Sequence, residues 1–207
     1  MRRHLLAALA VTKALQPHRL PPLGATRDVA ANSLAVDEAR DTHALPPVGP
    51  ARDDAAMALA LDEARAAAAR GEVPVGAVVV DDTTGAILAR AGNAVEASHD
   101  ATAHAELRAM RAAAQSVQNW RLQDATLYCT LEPCVVCLGA AYAFRIPKIV
   151  YGAPDHRMGA AGSWLDLTTE THPFHSLNIR GGVCAEESSK LLKEFFKERR
   201  RAGPRTM

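Results

Sequence analysis

Two short patterns constrain this chain more tightly than its composition does: His104-Ala-Glu106 and Pro133-Cys134-Val-Val-Cys137. An imidazole and two thiols are the nitrogen and sulfur donors that tetrahedral zinc prefers. Cys134 and Cys137 stand three apart, so on a helix they share a face and can grip one ion. Pro133 suits a first helical turn, where its missing N–H costs nothing. Both patterns fall where helices are expected to start. There the positive end of the helix dipole favours thiolate over thiol by about 0.3–1 kcal/mol. Three protein ligands leave a fourth position for water, the arrangement of catalytic rather than structural zinc. Glu106 has no metal duty in that count. Two residues from His104, it would point away from it in mid-helix, but from a first turn both side chains can reach a centre lying off the helix end. A spare carboxylate beside an activated water is placed to shuttle protons.

Each half of the pattern alone says little. A C-x-x-C pair also fits a dithiol redox couple, and H-x-E by itself is nearly uninformative. A purely structural zinc site would call on a fourth Cys or His. Cys129 is a candidate, but it lies on a strand before the Pro133 turn and nothing requires it to face the metal. Cys129 and Cys184 read as ordinary buried thiols. Four cysteines in 207 residues are too sparse for a secreted disulfide framework.

The rest of the chain supports an α/β domain. Residues 1–27 hold Arg2, Arg3, Lys13, Arg19 and Arg27 but no Asp or Glu, with Leu5–Leu9 apolar between them. That start fits an organelle transit peptide, for plastid or mitochondrion; a disordered tail on a cytoplasmic protein is the alternative. Residues 28–52 mix Pro, Ala, Asp and Arg as a linker does, so the expected division is an extension over 1–52 and a folded domain over 53–207. No run approaches the roughly 20 apolar residues of a bilayer span, and no membrane association is expected. A formal charge of +1 gives no global attraction to nucleic acid, so any such affinity must come from a local patch.

Asp53 or Asp54 is expected to cap a helix with Met57, Leu61, Ala64 and Ala68 on one face, stopped by Gly71. Strands follow at Val75–Val80 and Ala86–Ala91, joined by the turn Asp82–Gly85. A helix over 103–115, a strand over 126–130, a short helix from Pro133, a strand over 148–151 and a final helix over 186–201 complete the order. Strands alternating with helices predict a central sheet with helices on both faces.

Longer motifs then carry a resemblance: Gly71-Glu-Val-Pro-Val-Gly-Ala-Val78, Thr102-Ala-His-Ala-Glu106, Asn119-Trp-Arg-Leu122, Asp124-Ala-Thr-Leu-Tyr128, Thr130-Leu-Glu-Pro-Cys134 and Gly159-Ala-Ala-Gly-Ser163. From about Asp54 to Arg201 the sequence resembles the tRNA-specific adenosine deaminases of the cytidine deaminase-like fold, and the H-x-E…P-C-x-x-C signature is the one general to zinc deaminases. The resemblance implies a three-layer α/β/α domain around a mixed five-stranded sheet, one zinc per subunit on His104, Cys134 and Cys137, and a homodimer. It implies hydrolysis of the wobble adenosine of a tRNA anticodon stem-loop to inosine, with an arginine tRNA as the family's expected substrate. Glu106 would carry protons from the attacking water to N1 and the leaving amine. Asn93 would hydrogen-bond the nucleoside and Asp155 the ribose, although Pro154 stands where bacterial members carry Arg. Val75 and Leu131 would touch the base, and Phe196 a neighbouring loop base.

Plainer readings stand beside these. Asn93 also fits a turn after Gly92, and Val75 and Leu131 fit a core. The tail residues Lys190, Lys193, Lys197, Arg199, Arg200, Arg201 and Arg205 fit either a grip on RNA phosphates or the solvated end of an amphipathic helix. His172 and His175 read as loop histidines, within a stretch that resembles plastid members. The zinc residues alone would equally serve a deaminase of free guanine, cytosine or nucleotides, or a catalytically silent zinc subunit that presents RNA to a partner.

Overall fold

The computed structural model describes residues 44–169 and 172–203. The expected transit peptide or disordered extension therefore lies largely outside the described residues. In chain order the elements are α1 (Pro50–Ala69), β1 (Gly76–Asp81), β2 (Ile87–Gly92), α2 (Val95–Ser98), α3 (Ala105–Ser116), β3 (Ala125–Leu131), α4 (Val135–Phe144), β4 (Lys148–Ala153), β5 (Asn178–Arg180) and α5 (Ala185–Ala202). The five strands form one sheet in the order β2-β1-β3-β4-β5. β1 runs antiparallel to β2 and β3, while β3–β4 and β4–β5 are parallel. The expected mixed five-stranded sheet is present.

Residue alternation sorts the sheet into two packed faces. Ala77, Val79, Leu127, Cys129 and Ile149 point toward α3 and α4, where Ala105, Ala109, Met110, Ala113, Leu138 and Ala141 are buried. Val78, Val80, Tyr128 and Val150 point the other way, onto Ala56, Met57, Ala60 and Leu61 of α1. This makes three layers. Strands so covered on both sides read as continuous apolar runs, and Val78-Val79-Val80 is the clearest of them.

The start of α1 differs from expectation. It opens at Pro50 with Gly49 as its N-cap, so proline's fixed φ sets the first turn and Asp53 caps nothing. Asp53 is instead buried within the helix, accepting a hydrogen bond from Tyr128 Oη at 2.9 Å and pairing with Arg180 of β5. Arg52 before it is also buried and meets Asp82 at 3.3 Å, while the Leu45 N–H donates to the Gly85 carbonyl at 2.8 Å. Folded structure thus begins ahead of the expected boundary at Asp53. The buried face is completed by Ala67 rather than by Ala68. Gly71 does end the helix, with a positive φ of 82°.

Two elements have no counterpart in the sequence reading. α2 has four residues, and β5 has three, pairing only with β4. Among the described residues no helix is long and apolar enough to cross a membrane.

The layer spacing between α1 and β1 depends on Gly76. A Cβ built there would stand 2.0 Å from the Ala60 carbonyl oxygen and 2.6 Å from the Ala64 nitrogen, both backbone atoms of α1. Gly76→Ala must therefore push helix from sheet. We expect it to cost about 3 kcal/mol and to lower the thermal midpoint by about 6–12 °C, read by circular dichroism.

Candidate metal centre and active site

β3 ends at Leu131, and Glu132-Pro133 carries the chain straight into α4, whose N-cap is Cys134. The N-cap of α3 is His104. Both residues hold extended backbone angles, φ −70° and ψ 149° at His104, φ −75° and ψ 173° at Cys134. Neither side chain caps its own helix, so each can face the other. His104 Nδ1 lies 3.5 Å from Cys134 Sγ and 3.4 Å from Cys137 Sγ. The three ligand atoms all fall within 4.8 Å of one another, close enough to share one ion. No other group of three or more potential ligands occurs among the described residues. One imidazole and two sulfurs at helix N-termini make a zinc donor set with a position to spare.

Of the three side chains, only Cys134 is held in the deprotonated form that a metal takes. A hydrogen bond from Cys137 and a second from His104 outweigh burial and bring the Cys134 thiol down to about 4. Cys137 moves up, because it supplies that hydrogen bond and is itself buried. His104 is raised, first by its hydrogen bond with Cys134. Loading of a zinc ion would release the proton that Cys137 retains.

Glu106 sits in the first turn of α3, 4% exposed. Burial first, and the negative Cys134 sulfur after it, raise its carboxyl above the ordinary value, with its own backbone N–H and the His104 charge pulling the other way. A carboxyl tuned upward is suited to taking and returning protons near neutral pH.

The remaining sequence-derived candidates separate. Asn93 is buried: its N–H donates to the Val75 carbonyl at 2.9 Å, and its Nδ2 to Glu72 Oε2 at 3.3 Å. That is more than a turn residue needs. Val75 is 8% exposed in the α3–α4 core cluster, and Leu131 lies partly buried at its rim. Asp155 is half-buried, its Oδ1 accepting the N–H groups of Arg157 at 2.9 Å and Met158 at 3.3 Å. Phe196 is 41% exposed and edge-to-face with Phe195; it stands on α5, apart from the two helices that carry the sulfurs and the imidazole.

Cys129 is fully buried on β3, its thiol pushed well up by burial, and takes no part in the ligand group. Cys184 differs from the buried thiol expected of it, being half-exposed at the N-cap of α5 with φ 53°. His172 stacks on Tyr142 at 4.9 Å and His175 bonds the Ile146 carbonyl at 2.6 Å, so both are loop histidines, as expected.

Two acids escaped the sequence reading. Glu72, 1% exposed, accepts the N–H groups of Glu96 at 3.2 Å and Ala97 at 2.8 Å as well as Asn93 Nδ2. Glu132, 2% exposed, accepts N–H groups from Asp155, Ala161 and Ser163. Burial works against its charge, yet the hydrogen bonds from Ser163, Asp155 and Ala161 win and hold its carboxyl below the ordinary value. A signal for both existed in the Gly71–Val78 and Thr130–Cys134 motifs, but a charged side chain there gives no hint that it is buried.

Metal analysis checks the ligand assignment. We expect close to one zinc per chain in the unmodified protein and in Cys129→Ala, and loss of most of it in His104→Ala or Cys137→Ser. Retention of zinc by Cys137→Ser together with its loss from Cys129→Ala would reassign the third ligand.

With this geometry in place, comparison with known proteins is direct. The family model for the cytidine and deoxycytidylate deaminase zinc-binding region matches residues 50–153. A tRNA-specific adenosine deaminase of Haemophilus influenzae is 46% identical over 134 residues, 65% of this chain and 77% of the relative. A chloroplastic tRNA(adenine(34)) deaminase of Arabidopsis thaliana is 42% identical over 149 residues, covering 64% of this chain but 11% of that longer protein. A solved structure from work on A-to-I editing by tRNA:A34 deaminases at the wobble position is 40% identical, with a TM-score of 0.63 over 67% of this chain and 99% of its own. A zinc-deaminase model spanning half of the sequence, and a bacterial relative matched over most of its length, place the conclusion beyond the site alone: the chain belongs to the tRNA-specific adenosine deaminase family.

Proposed function

We propose that this protein hydrolyses adenosine to inosine at the wobble position of a tRNA anticodon loop. The observation that carries the reading is the buried Glu106 carboxyl beside three clustered zinc donors. Zinc, when bound, lowers the pKa of water so that it is nucleophilic at neutral pH. Glu106 takes the proton that this water loses as oxygen adds to C6 of adenine, and delivers protons to N1 and to the departing amine; ammonia leaves and hypoxanthine remains. Asn93, steadied by Glu72, orients the nucleoside. Val75 and Leu131 pack on the base, and Asp155 accepts from the ribose 2′-OH, which selects RNA over DNA. A loop adenosine is already unpaired, which lowers the cost of flipping it into the pocket.

The names of the relatives support a tRNA substrate, and the family expectation is an arginine tRNA. A homodimer fits the exposed apolar side chains beside the site, Val135 and Val136 of α4 and Met158, Trp164 and Leu165 of the following loop, which a second copy would cover. The acid-free basic start and the chloroplastic relative support delivery to a plastid or mitochondrion, with an extension that ends ahead of α1 rather than at residue 52 and the deaminase domain following it. A silent zinc subunit is disfavoured, since it would have no use for Glu106. On α5, Lys190 pairs with Glu194 and Arg199 donates to the Gly71 carbonyl. Among the described residues Lys193, Lys197, Arg200 and Arg201 are left to meet loop phosphates, with Phe196 near a loop base; Arg205 lies outside the described residues.

Incubation with an anticodon stem-loop carrying a wobble adenosine should yield inosine, while free guanine and cytosine stay unchanged; turnover of the free bases alone would reject the reading. Glu106→Gln should keep its zinc and lose about 10²–10⁴ in kcat. Replacing Lys197, Arg200 and Arg201 by Ala should flatten the dependence of log affinity on log salt by about 0.7 for each phosphate no longer neutralised. An unchanged slope would make the tail a solvated helix end.

A further inference from the structure

The segment 154–163, between β4 and the rest of the chain, has no strand or helix of its own, yet it forms one wall beside Cys134. Backbone bonds tie it to the β3–α4 turn: Ala160 N–H to the Pro133 carbonyl at 2.9 Å and a bridge between Cys134 and Gly159, next to the bond from Glu132 N–H to the Ala153 carbonyl at 2.8 Å. One side chain of that turn holds the segment as well. Glu132 Oε2 accepts the Asp155 N–H at 2.9 Å, and Oε1 accepts those of Ala161 at 3.0 Å and Ser163 at 3.1 Å. The loop wraps this carboxylate closely, because a Cβ at Gly159 would stand 2.4 Å from Glu132 Cδ and 2.6 Å from the Asp155 carbonyl oxygen. All three of these donors belong to the loop, and the first of them is the backbone of Asp155.

We propose that Glu132 is a positioning residue for nucleoside binding, its carboxylate fixing the loop so that the Asp155 side chain faces the ribose. The inference rests on the Asp155–ribose contact proposed above. A neutral side chain of the same shape cannot do this work. In Glu132→Gln one oxygen still serves Ala161 and Ser163, but the amide NH₂ confronts the Asp155 N–H, donor against donor. The loop then lets go at Asp155 while the β3–α4 turn and its sulfurs stay in place.

The test is steady-state kinetics on anticodon stem-loops with ribose or 2′-deoxyribose at the wobble adenosine, using E132Q, D155A and the double variant of the full chain, with zinc content measured on each. E132Q should keep about one zinc, raise KM roughly tenfold with kcat within about threefold, and lose the preference for ribose. In the D155A background it should add no more than about twofold, since both changes remove one interaction. A defective D155A with a silent or fully additive E132Q would overturn this inference and leave the ribose contact standing. A silent D155A would overturn both. An E132Q protein that loses its zinc or its fold would make Glu132 a scaffold for Cys134, and also overturn it.

Discussion

Two helix N-termini meet at one point, and the rest of the molecule is arranged to keep them there. α3 and α4 begin at His104 and Cys134, and each begins with a residue whose extended backbone frees its side chain from the helix. The pairing of β3 between β1 and β4 fixes where α4 starts, because only Glu132 and Pro133 separate the strand from Cys134. The packing of α3 on the same sheet face fixes His104. An imidazole and two sulfurs are brought within 4.8 Å of one another in a largely buried setting. A divalent cation satisfies all three and leaves a place for water.

Around that point the protein buries carboxylates among its apolar side chains. Glu106 faces the ligands, Glu72 holds Asn93 and the start of α2, and Glu132 holds the loop of Asp155. Asp53 plays a comparable part at a distance, tying α1 to Tyr128 on β3 and Arg180 on β5. Each of these last three directs its charge at N–H, O–H or guanidinium donors. Such charge-assisted bonds are roughly twice as strong as neutral ones and directional. They suit segments that have no ladder of their own. Burial pushes the Glu106 carboxyl upward, whereas the loop N–H groups hold that of Glu132 below the ordinary value. That difference separates a carboxyl suited to exchanging protons from one that holds backbone.

The parts of this arrangement that are legible in the sequence are those with a local signature. Val78-Val79-Val80 announces a strand covered on both faces, and the spacing of His104, Cys134 and Cys137 announces one ion. The sequence suggests too late a start for α1 because Asp53 looks like a cap, whereas Gly49-Pro50 does that work and Asp53 is drawn inward by Tyr128 and Arg180, far away in sequence. α2 and β5 are too short for periodicity to reveal, and β5 exists only through its pairing with β4. Glu72 and Glu132 are silent for a similar reason: their partners are mostly backbone N–H groups, which every sequence has.

The central claim is a single ion held by one nitrogen and two sulfurs with an open position. X-ray absorption at the zinc edge of the purified protein addresses it directly. The expected shell is two sulfurs at about 2.3 Å and two nitrogen or oxygen neighbours at about 2.0–2.1 Å. A shell of three or four sulfurs, closed to water, would contradict it.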